Sequence, residues 1–318
     1  MKTSIVLAIL GVVIGAVSIG TFARYRSDIN AAYDRLDAVE TQTVELREGT
    51  VEYCLEGTGP AVLVVHGNSG GHDQALQTGR SFFGQGFRFV AVSRFGYLGS
   101  DLPADSTPAA QARVYEKVLD REGIDQAIVI GVSAGGAPSI RFALDYPERT
   151  SALVLVAADV PTPKPAEPQG PPHFLLGDFP FWLMTGPARG AMFAMFGLDR
   201  KAYRTAPEEA RRGVDEVFET LLPMEPRRAG VINDEEVTNL DMSHNYAAYP
   251  LEELRAPTIV FQAKDDPLAK YEKVKRAAAR IPNCDLNIFE DGGHLLFGQD
   301  EAIDRALGAF LEENGIVG

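Results

Sequence analysis

The peptide Gly131-Val132-Ser133-Ala134-Gly135-Gly136 has the composition of a catalytic turn. It follows the apolar run QAIVI (126–130) and precedes APSIRFALDY (137–146), so a predicted strand enters the turn and a predicted helix leaves it. In that context a G-x-S-x-G sequence forces the serine into a strained conformation that exposes its hydroxyl. The N-terminus of the helix favours negative charge developing beside it. We therefore predict Ser133 as a nucleophile.

A serine hydroxyl needs a base, and that base needs a carboxylate to fix its tautomer. Of the five histidines, only His294 follows a late predicted strand, and two glycines precede it in DGGHLL (291–296). Asp265 and Asp266 both follow the predicted strand TIVFQA (258–263). We predict His294 as the base and one of these two aspartates as its partner, a choice that the residues alone leave open.

The elements that must position these residues alternate along the chain. Short apolar runs typical of strands covered on both faces are separated by segments of helical periodicity; the runs occur at 61–65, 87–92, 126–130, 152–157 and 258–263. Residues 43–56 alternate apolar and polar types, as a half-buried antiparallel pair does. This order predicts an α/β fold with a mostly parallel sheet and helices on both faces. Residues 159–250 contain no clear strand and begin rich in proline, which indicates an inserted helical cap.

Four motifs in a fixed order give the chain its resemblance to the α/β-hydrolase superfamily, over residues 45–318. They are HGNSGG (66–71), SRFGYLGS (93–100), GVSAGG (131–136), and KDDP (264–267) paired with DGGH (291–294). The resemblance implies an eight-stranded sheet, a core formed by residues 42–158 and 251–318, and a cap at 159–250. It also implies Asp266 as the acid of the triad, and the backbone N–H groups of Asn68 and Ala134 as the oxyanion hole. No metal or organic cofactor is expected.

A serine nucleophile implies an acyl-enzyme, and so the hydrolysis of an ester, thioester, amide or carbon–carbon bond. The stretch 179–198 is rich in Phe and Met and contains the only tryptophan, Trp182, which favours either an apolar pocket or a small core within the cap. Trp182 and Tyr97 are the candidate substrate-binding residues. We expect a carboxylic ester with an apolar portion as the substrate. A carbon–carbon hydrolase of the meta-cleavage-product type and a non-catalytic ligand-binding protein are the alternatives.

The net charge of the chain and its uncharged N-terminal segment indicate its partners and its location. The chain has 318 residues and a net charge of −14, which argues against nucleic-acid partners, and the acidic run at 233–236 is expected on a solvated face. Residues 3–23 carry no charge and would form a helix roughly 30 Å long. We therefore predict a single-pass membrane anchor within residues 1–26, bound to the lipid bilayer through residues 3–23, and a polar helical spacer over 27–41. A signal peptide cleaved on export, or a buried soluble helix, is the alternative.

Overall fold

The centre of the molecule is one sheet of eight strands. The computed structural model describes residues 2–168 and 170–317, with side chains from Gly15 onward. The strands are β1 (Gln42–Leu46), β2 (Gly49–Gly57), β3 (Ala61–Val65), β4 (Arg88–Val92), β5 (Ala127–Val132), β6 (Thr150–Val156), β7 (Thr258–Ala263) and β8 (Cys284–Phe289). Their order across the sheet is β1-β2-β4-β3-β5-β6-β7-β8, and only the pairs β1–β2 and β2–β4 are antiparallel. The predicted eight-stranded, mostly parallel sheet is therefore present.

Helices cover both faces of this sheet. Those described are α1 (Lys2–Asp37), α2 (His72–Phe83), α3 (Pro108–Arg121), α4 (Gly136–Asp145), α5 (Asp178–Thr185), α6 (Gly190–Phe196), α7 (Arg200–Thr205), α8 (Glu208–Thr220), α9 (Arg228–Asn233), α10 (Asn239–His244), α11 (Tyr271–Ala278) and α12 (Asp300–Glu313). Helices α3, α4 and α11 pack on one face, and α2 and α12 pack on the other. Successive strand residues point to opposite faces: Val62 and Val64 join one apolar cluster while Leu63 and Val65 join the other. This is why the strands appear in the sequence as continuous apolar runs.

Residues 159–250, which make up most of the segment between β6 and β7, are called the insertion below. Its described residues form helices α5 to α10, with a π-helical turn at Asp234–Thr238 between α9 and α10. A third apolar cluster lies within it and includes Trp182, Phe218 and Val231. Tyr97 of the core belongs to the same cluster, so the insertion packs onto the loop that follows β4.

Helix α1 docks on the insertion by its C-terminal half. Ile29 and Ala32 are buried in the third cluster, and the indole N–H of Trp182 donates a hydrogen bond to Asp28 (2.8 Å). The predicted spacer residues are therefore helical as far as Asp37 and form part of a packed interface.

The predicted single-pass anchor is wrong. Among the described residues, no helix contains an apolar stretch of the length that crossing a membrane requires. The described side chains of α1 begin at Gly15. The earlier part of the predicted segment, residues 3–14, has side chains that lie outside the described set. The membrane localisation and the bilayer contact through residues 3–23 are wrong with it.

Candidate active site

Ser133 lies in the turn between β5 and α4. Its backbone has a positive φ of 51°, the strained conformation that the sequence predicted for it. Its carbonyl accepts a hydrogen bond from the Asp159 N–H (2.9 Å), which ties the turn to the end of β6. A Cβ at Gly135 would lie 2.4 Å from the Val65 carbonyl oxygen, so only glycine allows the turn to approach β3 so closely. The half-buried Ser133 side chain is thereby presented at the carboxyl edge of the sheet.

His294 is held by Asp266. The His294 Nδ1 atom lies 2.9 Å from Oδ2 and 3.1 Å from Oδ1 of that carboxylate. Because an ionised carboxylate only accepts hydrogen bonds, Nδ1 carries the proton and Nε2 is left to accept one. The backbone N–H groups of Leu268 (2.8 Å) and Ala269 (3.1 Å) both donate to Asp266 Oδ1 and fix the orientation of the carboxylate. Asp265 accepts instead from the Gly293 N–H (2.9 Å) and so shapes the loop of the histidine.

The insertion reaches His294 through Phe196, the last residue of α6. The two rings stack with centroids 5.9 Å apart and planes 22° apart. Gly293, at φ 60°, permits this contact, because a Cβ there would lie 2.4 Å from the Phe196 carbonyl oxygen. An apolar wall therefore stands directly beside the imidazole.

Asp159 lies near the same centre and was missed by the sequence analysis. Burial raises the pKa of its carboxyl group; His294 opposes that rise, the carboxylates of Asp234 and Asp266 add to it, and Lys273 opposes it with the smallest effect. Its place directly after β6, between the strands that lead to Ser133 and to Asp266, was the available signal. Within the described chain the Ser133 hydroxyl forms no hydrogen bond, so its partnership with His294 stays a prediction.

The predicted oxyanion donors lie next to Ser133. Ala134 follows it in the chain, and Asn68 belongs to the loop after β3, residues 66–71, which we call the oxyanion loop. A Cβ at Gly67 would lie 3.2 Å from the Ser133 Cβ, so the backbone of this loop touches the serine. Among the described residues, the Asn68 N–H donates no hydrogen bond. A donor to a developing oxyanion must be unoccupied in this way.

The polar contacts of the two predicted substrate-binding residues are with other protein groups. Tyr97 is fully buried; its hydroxyl donates to Asp234 (2.6 Å) and accepts from the Ser69 N–H of the oxyanion loop (3.4 Å). Trp182 is buried between the rings of Tyr25 and Phe179, with its indole bonded to α1. No described contact brings either side chain to Ser133. Within residues 2–168 and 170–317, no cluster of three or more His, Cys, Asp or Glu side chains is arranged to hold a metal ion.

A sheet of this topology, with a strained serine turn after β5 and a histidine–carboxylate pair after β8 and β7, defines a class of hydrolytic enzymes. The family model for the alpha/beta hydrolase fold matches residues 60–301, and the chain belongs to this family. It is a hydrolase of that superfamily.

Three known proteins are informative relatives. An uncharacterised hydrolase, YcgS, of Bacillus subtilis is 29% identical over 85% of this chain and 98% of its own length. A 2-hydroxy-6-oxononadienedioate/2-hydroxy-6-oxononatrienedioate hydrolase of Burkholderia vietnamiensis is 29% identical over 81% of this chain and 88% of its own. The solved structure of an alpha/beta hydrolase fold protein from Nakamurella multipartita is 29% identical, covers 87% of this chain and 100% of its own, and superposes with a TM-score of 0.73.

Proposed function

We propose that this protein is a serine hydrolase that cleaves a carboxylic ester with an apolar portion. The observation that carries the proposal is the buried His294–Asp266 pair, which leaves Nε2 free to accept a proton at the sheet edge that carries Ser133. In the proposed reaction Ser133 Oγ bonds to the acyl carbon while its proton passes to His294 Nε2. The imidazolium then protonates the departing alcohol oxygen as the C–O bond breaks. Water, activated by the same nitrogen, releases the acid.

The oxyanion that forms in each half-reaction is assigned to the N–H groups of Asn68 and Ala134. Backbone donors suit this role because they are already oriented and lose little free energy by reorganising. The role of Asp266 is to hold the imidazole in one tautomer and to stabilise its charge. Support for these roles comes from the contact of the oxyanion loop with Ser133 and from the four acceptor contacts of Asp266.

Two features support an uncharged, partly apolar substrate. Phe196 stacks on His294 and offers an aromatic surface to an acyl or alcohol chain. The charged groups that influence Asp159 beside the site are His294, the carboxylates of Asp234 and Asp266 and, with the smallest effect, Lys273; the nearby guanidinium of Arg94 is already paired with Asp234. A substrate carboxylate would meet like charge there, whereas a neutral ester would not.

A second candidate is carbon–carbon bond hydrolysis of the meta-cleavage-product type. It is favoured by the relative from Burkholderia vietnamiensis, whose name describes a hydrolase of dicarboxylate dienes and trienes. The acidic surroundings of the site are the observation against it. A non-catalytic ligand-binding protein is the third possibility, and the same experiment tests it.

The decisive experiment combines covalent labelling with a substrate comparison. A fluorophosphonate probe should label the wild-type chain and should fail to label Ser133→Ala, with the folded state of both checked by circular dichroism. The value of kcat/KM for p-nitrophenyl butyrate should exceed that for a 2-hydroxy-6-oxo-dienoate. The reverse order would establish the second candidate, and labelling that persists in Ser133→Ala would eliminate the serine mechanism. An unlabelled wild-type chain that binds a ligand tightly would indicate the non-catalytic role.

A further inference from the structure

Two buried arginine–aspartate pairs cross between the core and the insertion. Arg94, after β4, donates from both terminal nitrogens to Asp234 in the π-helical turn (2.6 Å each). Arg227, just before α9, donates to Asp73 on α2 (3.0 and 2.8 Å). The four side chains are between 0% and 7% exposed. The acidic run at 233–236 was expected on a solvated face. That expectation is wrong for Asp234, which is buried.

The two pairs have opposite polarity. In one pair the core supplies the cation and the insertion supplies the anion, and in the other pair the roles are exchanged. Each pair is bidentate, which fixes the orientation of both planar groups as well as their separation. The insertion can therefore satisfy both pairs only in one position on the core, because a shift would leave buried charges unpaired.

Both guanidinium groups also hold the oxyanion loop. Arg94 donates to the carbonyl oxygen of Gly67 (3.0 Å), and Arg227 donates to that of Gly70 (2.7 Å). Asn68 lies between these two carbonyls. The same Gly67 oxygen also contacts the His66 Nδ1 atom (2.7 Å) and accepts from the Gly70 N–H (3.3 Å), so it is held from several directions.

The Gly67 carbonyl and the Asn68 N–H belong to one peptide unit. Because a trans peptide is planar, its C=O and N–H point in opposite directions. Anchoring the Gly67 oxygen therefore also sets the direction in which the Asn68 N–H points. Neither arginine touches the reacting atoms in this arrangement, and each acts through the loop backbone.

The geometry points to Arg94 and Arg227 as positioning residues for the oxyanion hole, set in place by carboxylates on opposite sides of the core–insertion boundary. This inference rests on the proposed function, because it gives the Asn68 N–H the role of an oxyanion donor. Its consequence is that the insertion, besides covering the site, supplies half of the groups that orient a donor for the transition state.

The test replaces one pair with apolar residues of similar size. Asp73→Leu/Arg227→Met removes both charges of the pair together. The third charge nearby, Arg35, lies 4.0 Å from Asp73 and is one-third exposed. It keeps its hydrogen bonds to the carbonyls of Glu219 and Leu222, so no buried charge is left without a partner and the fold can be kept. We expect kcat to fall by about 10- to 100-fold, part of the loss that follows removal of one oxyanion donor. KM should change by no more than about twofold, since the donor acts mainly in the transition state. Affinity for an alkylboronic acid, which forms a tetrahedral adduct with the serine, should fall by a factor similar to that of kcat.

A control and a milder variant accompany this pair. Arg88→Met/Glu122→Leu removes an ion pair (2.9 Å) that joins the start of β4 to the end of α3, away from the oxyanion loop, and should leave kcat unchanged. Arg227→Lys keeps the charge but cannot hold Asp73 and the Gly70 carbonyl with one planar fork. It should lower kcat and boronate affinity even if the double variant fails to fold.

The outcomes separate this inference from the function on which it rests. A wild-type chain that hydrolyses esters, with Arg227→Lys and a folded double variant that both keep wild-type kcat and boronate affinity, would overturn the positioning role alone. If the double variant is unfolded, wild-type values in Arg227→Lys have the same meaning. A wild-type chain inert to esters and to the fluorophosphonate would instead refute the proposed function, and the inference with it.

Discussion

Replacing Asp266 with asparagine changes which hydrogen atoms face His294. The N–H groups of Leu268 and Ala269 both donate to Oδ1, so an asparagine in this position must keep its carbonyl oxygen there. Its NH2 group then occupies the Oδ2 position, 2.9 Å from His294 Nδ1. A donor at that place requires Nδ1 to accept, which moves the imidazole proton to Nε2. The nitrogen that should receive the serine proton would then already carry one.

The same contacts set the size of the effect. Selecting the wrong tautomer while leaving the geometry intact lowers kcat by about 10⁴-fold in serine proteases, or ~5.5 kcal/mol at ~1.36 kcal/mol per tenfold. A smaller cost to stability follows because the amide also faces a second donor, Gln262 Nε2, at 3.2 Å. That nitrogen is itself held by the carbonyls of Ala263 and Ala269, both at 2.9 Å. We expect Asp266→Asn to fold, to melt at a lower temperature than the wild type, and to lose nearly all turnover.

The assay is p-nitrophenyl ester hydrolysis, and the neighbouring Asp265→Asn is the matched control. Asp265 is exposed and accepts a hydrogen bond only from the Gly293 N–H among the described residues, which an asparagine oxygen can also do. Its kcat should stay within about threefold of the wild type, since that single contact is preserved. An Asp266→Asn enzyme within tenfold of the wild type, or an equal loss in both variants, would refute the tautomer argument.

Three further changes have outcomes that follow from single contacts. Because Trp182 is the only tryptophan, Asp28→Leu should shift the emission maximum to longer wavelength as α1 undocks, and an unchanged spectrum would contradict this. Phe196→Ala should lower kcat/KM for p-nitrophenyl butyrate about tenfold more than for the acetate, whereas equal losses would remove Phe196 from the substrate wall. Burial alone would raise the pKa of Asp73, but the guanidinium of Arg227 holds this pKa below the ordinary value of an aspartate. The stability advantage of the wild type over Asp73→Asn in urea should therefore persist down to about pH 4 and narrow below it, and a gap constant to pH 3 would contradict the pairing.

The sequence could predict the sheet and much of the candidate site because both depend on local signals. A strand buried on both faces must be apolar at every position, and the runs at 61–65 and 258–263 are strands in the structure. His294 and Asp266 follow neighbouring strands, with Ala263 paired to Phe289, so the two strand ends bring the loops together. The residues could not decide between Asp265 and Asp266, because that choice depends on which oxygen the N–H groups of the next turn meet.

The crossed ion pairs gave no such signal. Their partners are 140 and 154 residues apart, and a charge pair at that separation leaves no periodicity in the chain. Asp234 lies in a run of acidic residues that has the composition of a solvated surface. A π-helical turn begins at Asp234, and nothing in the composition of the run indicates that turn or the buried partner Arg94. The bond between Tyr97 and Asp234 could not be predicted for a related reason, because it depends on how the insertion folds back onto the core.

Stability alone is a poor explanation for these pairs. Removing two charges from water costs several kcal/mol for each ion, and apolar side chains of the same size often stabilise a protein as well or better. What an apolar contact cannot supply is direction, because it tolerates sliding and holds no carbonyl. Each arginine here binds a carboxylate across the boundary and also donates a hydrogen bond to the loop that carries Asn68. The loop needs its peptide planes fixed to a fraction of an ångström if the Asn68 N–H is to act on a transition state. The cost of burying four charges is therefore better explained by positioning than by stability.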